Sequence, residues 1–230
     1  MIFEQAQRLT EVLLALAVLQ QALEHLVVPT RDRGWFVVQA ILAFAVADGG
    51  APAYTQGALL VACTATIRHF RGPYNGGSDR MRLLVLGCLW LSHLSSSPTW
   101  RQIFLGYLAV QVLLSYVVAG VVKLVNPEWR DGRALRDVFL FSVYPVSESL
   151  RRWAGQPSAL LVASWAIMLI EVAFPLALAH VMALKIALGV ALAFHIGNAC
   201  LFGLNRFVWA WVAAYPSLLW FQQELVTRLF

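Results

Sequence analysis

A nearly unbroken apolar run from Ile103 to Val122, relieved only by Gln111 and Ser115, constrains the fold more than any other stretch. A helix of this length rises about 30 Å, the thickness of a bilayer's hydrocarbon core. The run ends at Lys123, just before Asn126-Pro127-Glu128-Trp129-Arg130-Asp131-Gly132, so a lysine stands at a membrane boundary or just inside it. Apart from Lys185, every other Lys/Arg position is arginine. Arginine keeps its proton in a protein, whereas a lysine beside apolar surface can be driven to its neutral, basic form. Lys123 therefore carries two readings, a cation that snorkels to headgroups and a base.

The rest of the chain fits the same environment. With 60% hydrophobic and 13% charged residues among 230, and a mean hydropathy of +0.70, there is too little polar surface to coat a soluble globule. The expectation is an all-α polytopic transmembrane bundle. It is read as one domain over residues 1–230, because no linker, low-complexity tract or internal repeat divides the sequence. The net charge of +5 comes from arginines clustered in short loops. These read as topology signals and lipid-phosphate contacts; with no basic stripe of interleaved aromatics they do not point to a nucleic-acid partner. Cys63, Cys88 and Cys200 fall in apolar runs and read as packing residues. The five histidines include no i,i+4 pair of the zinc-binding kind. Met1 to Arg8 lacks the basic segment and cleavage site of a signal peptide, so the N-terminus is expected to be retained.

Taken in order, the expected spans are Thr10–Val28, Trp35–Val46, a short one at Gln56–Ile67, Met81–Leu94, Ile103–Val122, Leu160–Ala179, Ala183–Phe202 and Phe207–Leu219, about eight in all. In the first, Gln20, Gln21, Glu24 and His25 form a face that cannot look at lipid. Pro29 to Gly34 reads as a turn, and Gly72 to Arg80 as either an ordinary loop or a re-entrant segment lining a site. Asn126 to Gln156 makes a long polar connection whose Phe139-Leu140-Phe141 and Trp153 are placed to dip into the interface. With eight spans the arginine-rich loops share one side, which the positive-inside rule makes cytoplasmic.

Three polar residues stand out at membrane depth. Glu171 interrupts its span, and a carboxylate there costs roughly 3 kcal/mol unless it is neutral, paired or facing water. Pro175 removes the N–H that would bond the Glu171 carbonyl, so the helix is expected to kink. His195 and Asn198 share one face of the following span. Glu171, His195 and Asn198 are therefore expected to converge inside the bundle, because each alone would leave polar atoms unsatisfied in hydrocarbon.

Two ordered segments carry a family resemblance. Tyr116-Val-Val-Ala-Gly-Val-Val-Lys123-Leu-Val-Asn-Pro-Glu-Trp129-Arg-Asp-Gly132 resembles the segment of vitamin K-dependent γ-carboxylase that bears its catalytic lysine, with the same Lys-Leu-x-x-x-x-Trp-x-x-Gly layout. Phe194-His195-Ile-Gly-Asn198-Ala-Cys-Leu201-Phe202 is similar to that family's Phe-His-x-x-Asn-x-x-Leu-Phe signature. The resemblance points to the HTTM superfamily, the membrane core that the carboxylase shares with many bacterial proteins.

It implies an integral protein of the bacterial inner membrane with lyase or oxidoreductase chemistry, in which a reduced quinone and oxygen generate a strong base. Lys123 would start that reaction by deprotonating the hydroquinone. Glu171 and His195 join it as catalytic candidates, and Asn198, Asn75, Tyr116 and Trp129 as residues that hold the quinone or lipid-like ligand. The sequence also departs from the family. Tyr74-Asn75-Gly76-Gly77-Ser78 stands where the carboxylase has Asn-Asn-His, and the peptide-engaging C-terminal domain has no counterpart up to Phe230. The carboxylase's lysine-bearing face also looks away from the cytoplasm, against the charge count. A non-catalytic membrane subunit that packs against a partner protein is the competing expectation.

Overall fold

The computed structural model describes residues 1–27, 33–69, 76–142 and 147–229. Every regular element among them is helical. The helices are α1 (Phe3–Val27), α2 (Arg33–Asp48), α3 (Pro52–His69), α4 (Gly76–Leu94), α5 (Pro98–Val125), α6 (Pro127–Arg130), α7 (Arg133–Phe141), α8 (Pro157–Ala173), α9 (Val181–Phe202) and α10 (Asn205–Leu229). Short 3₁₀ segments occupy Glu148–Gly155 and Phe174–Ala179. Four stretches are long and apolar enough to cross a membrane: Phe3–Val27, Pro98–Val125, Pro157–Ala179 and Val181–Phe202. Large apolar side chains such as Val118, Val122, Leu169 and Ile186 point outward from three of them. Such a surface suits acyl chains rather than water.

The chain forms two compact units. The first contains Met1–Val110 and Arg206–Phe230, the second Gln111–Asn205.

In the first unit α1 packs against α2 and α4, while α3 packs against α2 and α4. Several of its polar side chains are turned inward and form pairs. Gln21 donates to Asp79 (3.3 Å), which also accepts from Arg82 (3.0 Å). Arg206 donates to Glu24 (2.8 Å), and His25 stacks on Phe36 with ring centroids 3.9 Å apart. The polar face expected on the first helix therefore packs against protein. Glu11 joins a second buried network, accepting from Arg8 (3.1 Å) and Gln56 (3.3 Å) and bonding His93. Gly76 to Arg80, expected as loop, opens α4, so that helix begins earlier than its apolar run. The turn at 29–32 and the rest of the glycine-rich stretch, including Asn75, lie outside the described residues.

In the second unit the polar connection after α5 folds back as a cap. Asn126 accepts the Glu128 N–H (2.9 Å) and Pro127 occupies the first turn, which starts α6. Asp131 then accepts from both the backbone N–H (3.0 Å) and Nε (2.7 Å) of Arg133. Those bonds, the backbone one first, hold its carboxyl below the usual carboxylate range. Leu135 and Phe139 of α7 bury with Ala154, Leu160 and Phe202, and Phe139 meets Phe202 edge-on at 5.1 Å. Phe141 and Trp153 are exposed, but Phe139 and Leu140, also expected to dip into the interface, are turned into this core instead.

Gly132 is the hinge of this cap. Its φ of +80° is a left-handed conformation, and a Cβ there would stand 3.1 Å from Leu161 Cα and 3.2 Å from Leu161 N. Gly132→Ala is therefore expected to destabilise the cap by about 1–3 kcal/mol, through left-handed strain plus a clash with backbone that cannot rotate away. Proteolysis of the purified membrane protein should show faster cleavage between α5 and α8 in the variant. Unchanged cleavage would reject this account.

Two further sequence expectations need correction. Leu160–Ala179 is not one kinked α-helix: α8 ends at Ala173 and the chain continues as a 3₁₀ segment. The missing Pro175 N–H breaks the i→i−4 ladder, and the tighter spiral replaces it. Cys200 is exposed rather than packed, unlike Cys63 and Cys88.

Candidate functional site

The second unit holds the lysine. Tyr116, Gly120 and Lys123 are spaced four and three residues apart and so share one face of α5. Gly120 lets that face come close to α8. A Cβ at position 120 would lie 2.7 Å from Val172 Cγ2, 2.8 Å from Val172 N and 2.9 Å from Glu171 Cβ. At such a distance the lysine reaches across. Lys123 Nζ donates to Glu171 Oε2 (2.7 Å) and Oε1 (2.9 Å), and to the Ala119 carbonyl (3.4 Å). Glu171 is 5% exposed, and the Lys123 side chain 18%.

The α6 cap closes over the pair. The Trp129 ring centroid stands 5.4 Å from Lys123 Nζ, where an aromatic face attracts a cation. Trp129 is set by its neighbours: its carbonyl accepts from Ser164 (2.5 Å), and the Arg130 carbonyl accepts from Trp165 Nε1 (3.1 Å). Both bonds fasten the motif Asn126–Gly132 to α8.

A second polar pair lies two helical turns earlier on α5. The Tyr116 hydroxyl and His195 Nε2 are 3.0 Å apart, both residues are buried, and the tyrosine ring stacks on Phe174 at 4.2 Å. Phe174 follows Glu171 by three residues, so Tyr116 touches the turn beyond the carboxylate and the histidine of α9. The structure thus groups Lys123 with Glu171 and Trp129, and Tyr116 with His195, as two pairs about 10 Å apart along α5. Asn198 stands apart from both. It is half-buried one turn beyond His195, its carbonyl accepts the Leu204 N–H (3.4 Å), and its side chain bonds neither pair among the described residues.

Sequence reasoning missed Gly120, Ser164 and Phe174. Gly120 carried a usable signal, because a glycine between Tyr116 and Lys123 on one face of a span marks close helix approach. Ser164 and Phe174 carried none, since their partners lie on other helices.

No curated protein and no solved structure matches the chain. A family profile described as the HTTM domain matches residues 90–224, more than half of the sequence and the whole of the Lys123–Glu171 and Tyr116–His195 neighbourhood. With its apolar spans and this match, the chain is an integral membrane protein that belongs to the HTTM domain family.

Proposed function

We propose that this HTTM-family chain is a membrane enzyme in which Lys123 acts as base on a quinone or lipid-like substrate, in keeping with its resemblance to vitamin K-dependent γ-carboxylase. The bidentate Lys123–Glu171 contact carries the reading. In a medium of low dielectric the desolvation cost of two ions offsets much of their attraction. Transfer of one proton breaks an Nζ–H bond, forms an O–H bond on Glu171 and leaves Lys123 as a free amine. That amine accepts the proton of a substrate acid group, and Glu171 retains the first proton. Tyr116 and His195 form a second hydrogen-bonded pair two turns earlier on α5, and Asn198 and Asn75 are further ligand-holding candidates.

In this proposal a reduced quinone would take the place of Glu171 against Lys123, with its planar ring beside Trp129, which stands 5.4 Å from Lys123 Nζ. When bound, such a group supplies the ionisable O–H. The same proposal takes residues 1–230 as one HTTM-like domain of about eight spans in the bacterial inner membrane, since the family match runs through parts of both units.

One observation favours a second reading. All three N–H groups of the Lys123 ammonium are taken, by Glu171 Oε1, Glu171 Oε2 and the Ala119 carbonyl, as suits a clamp in a non-catalytic subunit of a larger membrane complex. Native mass spectrometry of the protein extracted in mild detergent separates the two. The enzyme reading expects a bound quinone or lipid-like mass that Trp129→Leu loses at normal abundance. Stoichiometric co-purification with a larger complex, and no such mass, would overturn it.

A further inference from the structure

The first unit contains a groove of about 460 Å³ between α5 and α10, separate from the Lys123 neighbourhood. Gly106 forms its floor: a Cβ there would meet the rings of Phe221 at 3.7 Å and Trp220 at 3.8 Å, which is ordinary contact and leaves the groove open. Thr99, Gln102 and Glu224 line it together with apolar walls that run to Val110. Thr99 and Gln102 sit in the first turns of α5, and beyond them its lining is apolar and aromatic, with the Tyr107 hydroxyl its one polar group before Val110. Thr99 to Val110 covers about 16 Å of helix, close to the depth of one leaflet's hydrocarbon, which is half of about 30 Å. Because α5 is a spanning helix, the polar end lies towards a membrane surface and the apolar end towards the midplane.

We infer that this groove binds one acyl chain of a membrane glycerophospholipid, with Thr99 and Gln102 at the level of its ester groups. The match of polarity to depth favours a lipid over a partner helix. A spanning helix needs a docking surface two leaflets long, and this groove extends through one. Its volume lies within the usual range for small-molecule sites. The inference does not depend on Lys123 being a base.

The full chain, reconstituted in vesicles containing phosphatidylethanolamine with a photoactivatable acyl chain, provides the test. Cross-links should be enriched in residues 99–110 and 220–225 relative to the outward-facing Leu169 and Ile170 of α8. Gly106→Phe, which fills the floor, and Val110→Trp, which fills the deep end, should each lose that enrichment, whereas Gly106→Ala should keep it. Enrichment unchanged in both filled variants overturns the site, as does replacement of the lipid signal by a retained isoprenoid quinone or a co-purifying protein. Should both filled variants fail to fold, the wild-type arm decides: labelling no stronger in the groove than at Leu169 and Ile170 rejects the proposal.

Discussion

Lys123→Ala is expected to destabilise the second unit by about 3–5 kcal/mol, the usual cost of removing one partner from a buried ion pair and leaving the other uncompensated. Glu171 would keep its burial and lose both hydrogen bonds from Nζ. Its only relief is protonation, which itself requires a neutral acid to find new partners in an apolar helix. The effect should appear as reduced membrane abundance and a lower thermal midpoint in detergent. Adding Glu171→Leu should recover part of the loss, because it removes the stranded charge while the volume vacated by the lysine stays unfilled. A double variant no better than Lys123→Ala would mean that the lysine contributes through packing.

Lys123→Arg then separates chemistry from clamping. Arginine preserves the charge and offers two donors to Glu171, so abundance should stay near wild type. It does not give up its proton, so a base mechanism should lose essentially all function in cells that depend on this protein. Full function with Lys123→Arg at normal abundance would rule out the base and favour the subunit reading.

The second large effect is expected at Gly120. Its virtual Cβ stands 2.8 Å from the backbone nitrogen of Val172, and backbone cannot rotate aside as a side-chain end can. Even alanine must push α5 and α8 apart until that distance reaches at least 3.4 Å, and valine adds two more methyl groups to the collision. Overpacking of this kind costs about 1–3 kcal/mol, and here it also stretches the 2.7 and 2.9 Å Lys123–Glu171 contacts. Gly120→Val should therefore lower the thermal midpoint more than Gly120→Ala. Gly189→Ala, on α9 with nothing within 4 Å, should be near neutral. Equal midpoints for Gly120→Ala and Gly189→Ala would show that α5 and α8 do not depend on this approach.

Much of the architecture is local and hence readable in one dimension. Hydrophobic length makes Ile103–Val122, Leu160–Ala179 and Ala183–Phe202 candidates to cross a bilayer, whatever they pack against. The stretch Asn126–Gln156 reads as a polar connection, and its cap emerges only with the structure, where Asn126 and Pro127 start α6 and Gly132 turns left-handed. The family itself was legible in the spacing around Lys123 and His195. Partnership was not legible. Helical periodicity states which residues share a face, but the rotation of each helix about its axis decides which neighbour that face meets. Glu171 was grouped with His195 and Asn198, all three being polar residues within adjacent spans. The tertiary structure instead gives Glu171 to Lys123, 48 positions earlier, and His195 to Tyr116, 79 positions earlier. That choice follows from Gly120, where the lack of a side chain lets α5 and α8 approach closely enough for an ammonium and a carboxylate to satisfy each other away from water.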